Sequence, residues 1–108
     1  MSALKRVREL FNLNGRTAII TGGSVGLGRQ MAEALAEQGA NVVLCARKKE
    51  RCVQAAEEIQ QSGVRTMALG CDVRNPADVQ AVVDATLNAF GRIDILINNA
   101  GTSWGAPI

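Results

Sequence analysis

The chain of 108 residues has no histidine and no tyrosine. These are the side chains most often used to move a proton to or from a carbonyl or hydroxyl oxygen. Such a step would need a lysine, a carboxylate, or residues outside this chain. The missing histidine also removes imidazole metal sites, and Cys45, Cys52 and Cys71 are too scattered to make a zinc site, so no metal is expected. Three cysteines form an odd set without a CxxC pair, which excludes a disulfide framework and points to a reducing, cytoplasmic setting. No apolar run approaches the ~18–20 residues needed to span a bilayer. A net charge of +2 is too small to imply a nucleic-acid or membrane partner.

The chain is 47% hydrophobic and 20% charged, a balance that folds, and its length allows one small domain or part of a larger one. Met1–Arg8 carries Lys5, Arg6 and Arg8 without a following apolar block, so it does not read as a secretory signal. Residues 1–12 read as a short arm beside the first strand, with an organelle presequence as the alternative.

Short apolar runs alternate with helical periods. Thr17–Thr21 (TAIIT) is a continuous run suited to a strand buried on both faces. From Val25 to Gln38 the spacing becomes helical, with Leu27, Met31 and Leu35 at i, i+4 and i+8 and Gly39 as a left-handed stop. A second strand is predicted at 41–46 and a second helix at 49–61, with Val53, Ala56 and Ile59 on one face. A third strand spans 66–71. Asn75 and Pro76 then read as N-cap and first residue of a helix that runs to Phe90 and carries Val79, Val82, Val83 and Leu87. A fourth strand is predicted at 93–97. The β-α-β-α-β-α-β order predicts an α/β fold, a doubly wound parallel sheet with right-handed crossovers and helices on both faces.

The first strand meets the first helix through TGGSVGLG, Thr21 to Gly28. Glycines at 22, 26 and 28 differ from the Gly-x-Gly-x-x-Gly fingerprint, but the physical roles correspond. Gly22 supplies a tight turn, Gly26 lets the backbone approach a pyrophosphate, and Gly28 lets the helix pack against the strand. The amides and dipole at the helix start favour an anion, and Ser24 adds a hydroxyl at the mouth. The alternative is a glycine-rich turn that binds nothing. Its place in the first βαβ unit favours a ligand.

The second strand ends in Ala46 and Arg47, followed by Lys48 and Lys49. An acid there would bind a ribose 2′-OH and repel a 2′-phosphate, whereas a guanidinium forks onto phosphate oxygens. NADP is therefore expected ahead of NAD, unless these cations are simply a solvated helix start. After the third strand, Asp72 can accept from an adenine amino group while the Val73 amide donates to the ring. Asp72 capping the next helix is the other reading, and both could hold.

Together, Thr21-Gly-x-x-x-Gly-Leu-Gly28, Cys71-Asp-Val73 and Ile97-Asn-Asn-Ala-Gly101 resemble the short-chain dehydrogenase/reductase family from about Leu13 to Ile108. The resemblance implies a Rossmann-like half-domain over 13–108 with strand order 3-2-1-4. It implies cofactor contacts from Thr21, Gly22, Ser24, Val25, Gly26, Leu27 and Gly28, from Arg47 and Lys48, from Asp72 and Val73, and from Asn99, Ala100 and Gly101. Val25 departs from members that carry a basic residue before the second glycine, which leaves Arg47 as the main discriminator. The stretch from Asn98 to Gly105 looks most like members that reduce 3-oxoacyl thioesters or oxidise sugar acids such as gluconate. Family members place a catalytic Asn, a Ser and a Tyr-x-x-x-Lys pair further along. With no tyrosine here and no lysine after Lys49, this chain is expected to bind cofactor without turning over. The longer parent would be an NADP-dependent reductase of a small carbonyl or alcohol substrate, a homo-dimer or homo-tetramer. The alternative is a non-catalytic nucleotide-binding or interaction module. The fourth strand would be an apolar edge prone to association.

Overall fold

The structure, a computed structural model, describes residues 10–99. Most of the arm and the expected cofactor contacts Ala100 and Gly101 lie outside the described residues. Strand β1 (Thr17–Thr21) leads into helix α1 (Gly26–Glu37), then β2 (Asn41–Ala46), α2 (Lys49–Gln60), β3 (Thr66–Gly70), α3 (Pro76–Phe90) and β4 (Ile95–Asn98). The strands form one parallel sheet in the order β3-β2-β1-β4, as the sequence predicts. Thr21 pairs in register with Cys45 on one side and Asn98 on the other, while Ala46 pairs with Gly70. All four strands therefore end at the same edge of the sheet. Among the described residues, no helix is long and apolar enough to cross a membrane.

Strand period 2 divides the core. Ala18, Ile20, Val42 and Leu44 face α1 and α2, where Ala32, Ala36, Cys52, Ala55, Ala56 and Ile59 complete one buried cluster. Ile19, Val43 and Cys45 face the other way and meet Cys71 and Val82. The three cysteines are free and buried, as core residues.

The helix faces match the apolar spacing only in part: Ala56, Ile59 and Val82 are buried as expected, and other positions differ. On α1 the buried positions are Gly28, Ala32 and Ala36, whereas Leu27 is 62% exposed. The face that meets the sheet is the one with small residues, because a Gly/Ala stripe lets the helix lie close while Ile20 and Leu44 fill the volume. On α2, Cys52, Ala55, Ala56 and Ile59 are buried and Val53 is outside. On α3 only Val82 and Thr86 are buried, and Thr86 satisfies its hydroxyl by donating to the Val82 carbonyl at 2.7 Å. Val79 and Leu87 are exposed instead. Val79 lines an open apolar cleft of about 290 Å³ between α3 and β4, together with Ile19, Val82, Val83, Ile93 and Leu96 among others.

The fourth strand begins two residues later than predicted, because Asp94 is used as a latch. Its carboxylate accepts from the Thr17 amide at 2.9 Å and from Arg92 at 2.7 and 2.8 Å, and its amide donates to the Thr17 carbonyl at 2.9 Å. Arg16 adds a contact at 3.3 Å. The pairing with Arg92, then the Thr17 amide and Arg16, hold the Asp94 carboxyl down at about 2.

Two predictions follow from this architecture. Leu44→Ala should cost ~2–5 kcal/mol in urea denaturation because it opens a cavity between sheet and helices, whereas Leu96→Ala should cost less than ~0.5 kcal/mol in this chain. Asp94 is more acidic folded than unfolded, so its stabilisation is complete above about pH 4 and is lost as pH falls through about 2. The Asp94→Asn variant should melt lower at neutral pH and lose less of its melting temperature than the parent between pH 4 and 2.

Candidate functional site

The candidate site lies where the strands end. Gly22 and Gly26 sit at φ +65° and +59°, the left-handed conformation that glycine adopts without strain. The turn can therefore fold back from β1 and present α1 end-on. A side chain on Gly26 would meet nothing within 4 Å, so its backbone is open to an approaching group. Gly28 is the opposite case. A Cβ there would collide with the Gly22 carbonyl oxygen and stand 2.8 Å from Asn99 Nδ2. The first turn of α1 thus packs directly on the end of β1, the role expected of Gly28.

Thr21 ties this turn to β4. Its hydroxyl donates to Asn98 Oδ1 and accepts from the Asn99 amide, both at 2.9 Å. Asn99 Nδ2 reaches back to the Gly22 carbonyl at 3.4 Å, and the Gly22 amide donates to the Cys45 carbonyl at 2.8 Å. Burial and hydrogen bonding fix the shape of the cradle from three neighbouring strands.

The helix start itself is bare of competing anions. Val25 is the N-cap, no side chain caps it, and the first turn carries no acid. Helix starts usually satisfy their free amides with a Ser, Thr, Asp or Asn oxygen. Here those donors and the helix dipole face outward past an open glycine, which suits a phosphate group. Ser24 is half-buried in the turn, and Val25 and Leu27 are exposed at its rim.

At the next strand ends, Arg47 and Lys48 are exposed just after β2, with no acid between Cys45 and Lys49. The Cys71 amide donates to the Ala46 carbonyl at 2.9 Å, which carries the β2–β3 pairing up to Asp72. Asp72 is forked by Arg74: Oδ1 accepts from the Arg74 amide at 3.0 Å and from Nε at 3.1 Å, and Oδ2 accepts from Nη2 at 3.0 Å. Arg74, with a smaller contribution from the charge on Arg47, holds the Asp72 carboxyl at about 2. The helix-capping role falls to Asn75, whose Oδ1 accepts from the Ala77 amide at 3.0 Å, rather than to Asp72. Val73 is half-buried against the cluster on the α3 side.

Sequence reading missed three contributors. Gly23 is buried over the core, where a Cβ would stand 2.7 Å from Leu44 Cδ2. Its only signal is the doubled glycine. Asn98 holds the Thr21 hydroxyl, and Arg74 holds Asp72. The first pairing is invisible without the strand register, and the second depends on how the turn after β3 folds. The buried thiols nearby are not reactive groups, since burial pushes Cys45 up to about 12 and raises Cys52 and Cys71 as well. Among the described residues, no group of three or more Cys, Asp or Glu side chains is arranged to hold a metal ion.

Comparison with known proteins gives the same outline. The family model for short chain dehydrogenase matches residues 16–108. The chain is 42% identical over 98 residues to the rhamnolipids biosynthesis 3-oxoacyl-[acyl-carrier-protein] reductase of Pseudomonas aeruginosa, covering 91% of this chain and 38% of that protein. The L-sorbose reductase of Gluconobacter frateurii, solved with NADPH and L-sorbose, superposes with a TM-score of 0.83 at 41% identity, covering 91% of this chain and 38% of that one. A xylitol dehydrogenase solved with NAD+ superposes with a TM-score of 0.79 at 34% identity, covering 82% and 34%. The chain thus spans less than two fifths of the length of each of these relatives.

The close approach at Gly28 is testable by stability alone. Gly28→Ala should destabilise by ~1–3 kcal/mol in urea denaturation, because backbone must move to admit a methyl group. Gly70→Ala is the control: its Cβ would meet Lys49 Cβ at an ordinary 3.6 Å, and the change should stay within ~0.5 kcal/mol.

Proposed function

The chain belongs to the short-chain dehydrogenase/reductase family, and from that premise we propose that it is the nucleotide-binding half of an oxidoreductase that prefers NADP. The observation that carries the reading is the uncapped, acid-free start of α1 behind a glycine turn, with Arg47 where an acid would select NAD. The cradle fits a dinucleotide. Gly26 leaves room for a pyrophosphate, the α1 amides donate to it, and the Thr21–Asn98–Asn99 bonds keep the turn in place.

Within this reading, Arg47 and Lys48 hold the 2′-phosphate, and Asp72 and Val73 meet the adenine. Asn99, with Ala100 and Gly101 beyond it, lines the ribose side. The cofactor supplies hydride exchange at its nicotinamide, and the protein supplies binding and orientation. This chain positions one reactant and holds no tyrosine for the proton step. A carbonyl or alcohol is the substrate class. The resemblance to a 3-oxoacyl reductase and to an L-sorbose reductase supports that class, and the NADPH in the latter's structure supports the cofactor. The unpaired thiols fit a reducing, cytoplasmic setting.

NADP should raise the melting temperature of the chain, and NAD at the same concentration should raise it less. Arg47→Asp should reverse that order by removing the phosphate's partner and adding repulsion. No rise with either nucleotide in the folded parent chain would overturn the binding reading. An unchanged NADP:NAD preference in Arg47→Asp would remove Arg47 from the selection.

A further inference from the structure

Asp72 presents a problem for a site that accepts a 2′-phosphate. Ala46 pairs with Gly70, and the Cys71 amide bonds the Ala46 carbonyl, so Arg47 and Asp72 leave neighbouring strand ends together. A phosphate held by Arg47 would lie beside a carboxylate. Like charges brought together at a protein surface oppose each other.

The turn that follows β3 supplies a countercharge. Arg74 folds back over two residues and meets both carboxylate oxygens of Asp72 with Nε and Nη2, at 3.1 and 3.0 Å. Its own amide locks the same carboxylate from below at 3.0 Å. A planar guanidinium fits this fork, and a lysine ammonium does not. The Arg74 side chain remains 75% exposed, so the fork lies at the surface, where salt can screen it.

We propose that Arg74 is a specificity-determining residue: by neutralising Asp72 it lets a 2′-phosphate sit at Arg47 without facing uncompensated negative charge. The inference rests on the reading of Arg47 given above. Asp72 thereby keeps its place beside the adenine while its charge no longer counts against NADP. Arg74 acts through Asp72 and need not touch the cofactor.

The test is the ratio of NADPH to NADH affinity, measured by titration of the chain in low salt. Arg74→Met should weaken NADPH several-fold and leave NADH within about twofold, and the effect should shrink at high ionic strength. Adding Asp72→Asn to Arg74→Met should restore the ratio, even if both affinities fall through a lost adenine contact. A ratio unmoved by Arg74→Met overturns the proposal. Equal losses for both cofactors overturn it too, because they mean that the fork merely shapes the turn. A ratio that falls and is not restored by Asp72→Asn assigns Arg74 to the phosphate itself and also overturns it. Arg47→Asp, run in parallel, separates the two readings. An unchanged ratio there overturns both, whereas a reversed ratio there with no response in Arg74→Met overturns only the present one.

Discussion

The site depends on one steric fact: the first turn of α1 rests on the carbonyl of Gly22 with no side chain between them. A helix held further away would direct its free amides elsewhere, and Asn99 would not reach the turn. Because Gly28 has no Cβ, Asn99 Nδ2 fits into the same gap and bonds the Gly22 carbonyl. The Thr21 hydroxyl then closes the arrangement by bonding Asn98 and Asn99 at the end of β4. The geometry is therefore built from backbone and short polar groups. Such groups have few rotamers to lose, so the cradle is formed before any ligand arrives.

Much of this was legible in the sequence, for a physical reason in each case. A strand covered on both faces must be apolar at consecutive positions, and TAIIT and VVLCA both are. A proline at the first helical residue after an asparagine can mean little else, and Asn75 caps α3 as expected. The β3-β2-β1-β4 order follows from crossovers and the family pattern. The α1 face was misread because hydrophobic spacing measures water avoidance and not size. At the α1–sheet contact, size decides, so Ala32 and Ala36 go in and Leu27 stays out. The Asp72–Arg74 fork and the Asp94 latch escaped notice because charged residues in turns are ordinarily solvated. Their meaning lies in partners that only the folded chain supplies.

The described thiols beside the site are not activated. Cys45, whose carbonyl bonds the Gly22 amide, is buried and held at about 12, so it stays protonated and unreactive at neutral pH. The charged groups around the strand ends are Arg47, Asp72 and Arg74, and Asp72 is paired with Arg74.

The uneven dressing of the sheet also has a dynamic consequence. Among the described residues, the cluster between the sheet and α1 and α2 holds ten buried residues, and the cluster on the other face five. Among the described residues, central β2 is hydrogen-bonded on both sides and β4 on one. Amide protons should therefore exchange first along β4 and the α3 side, and last in β2. Within the described residues, Asn98 and Asn99 sit on the less covered side, so opening of the cradle should start there.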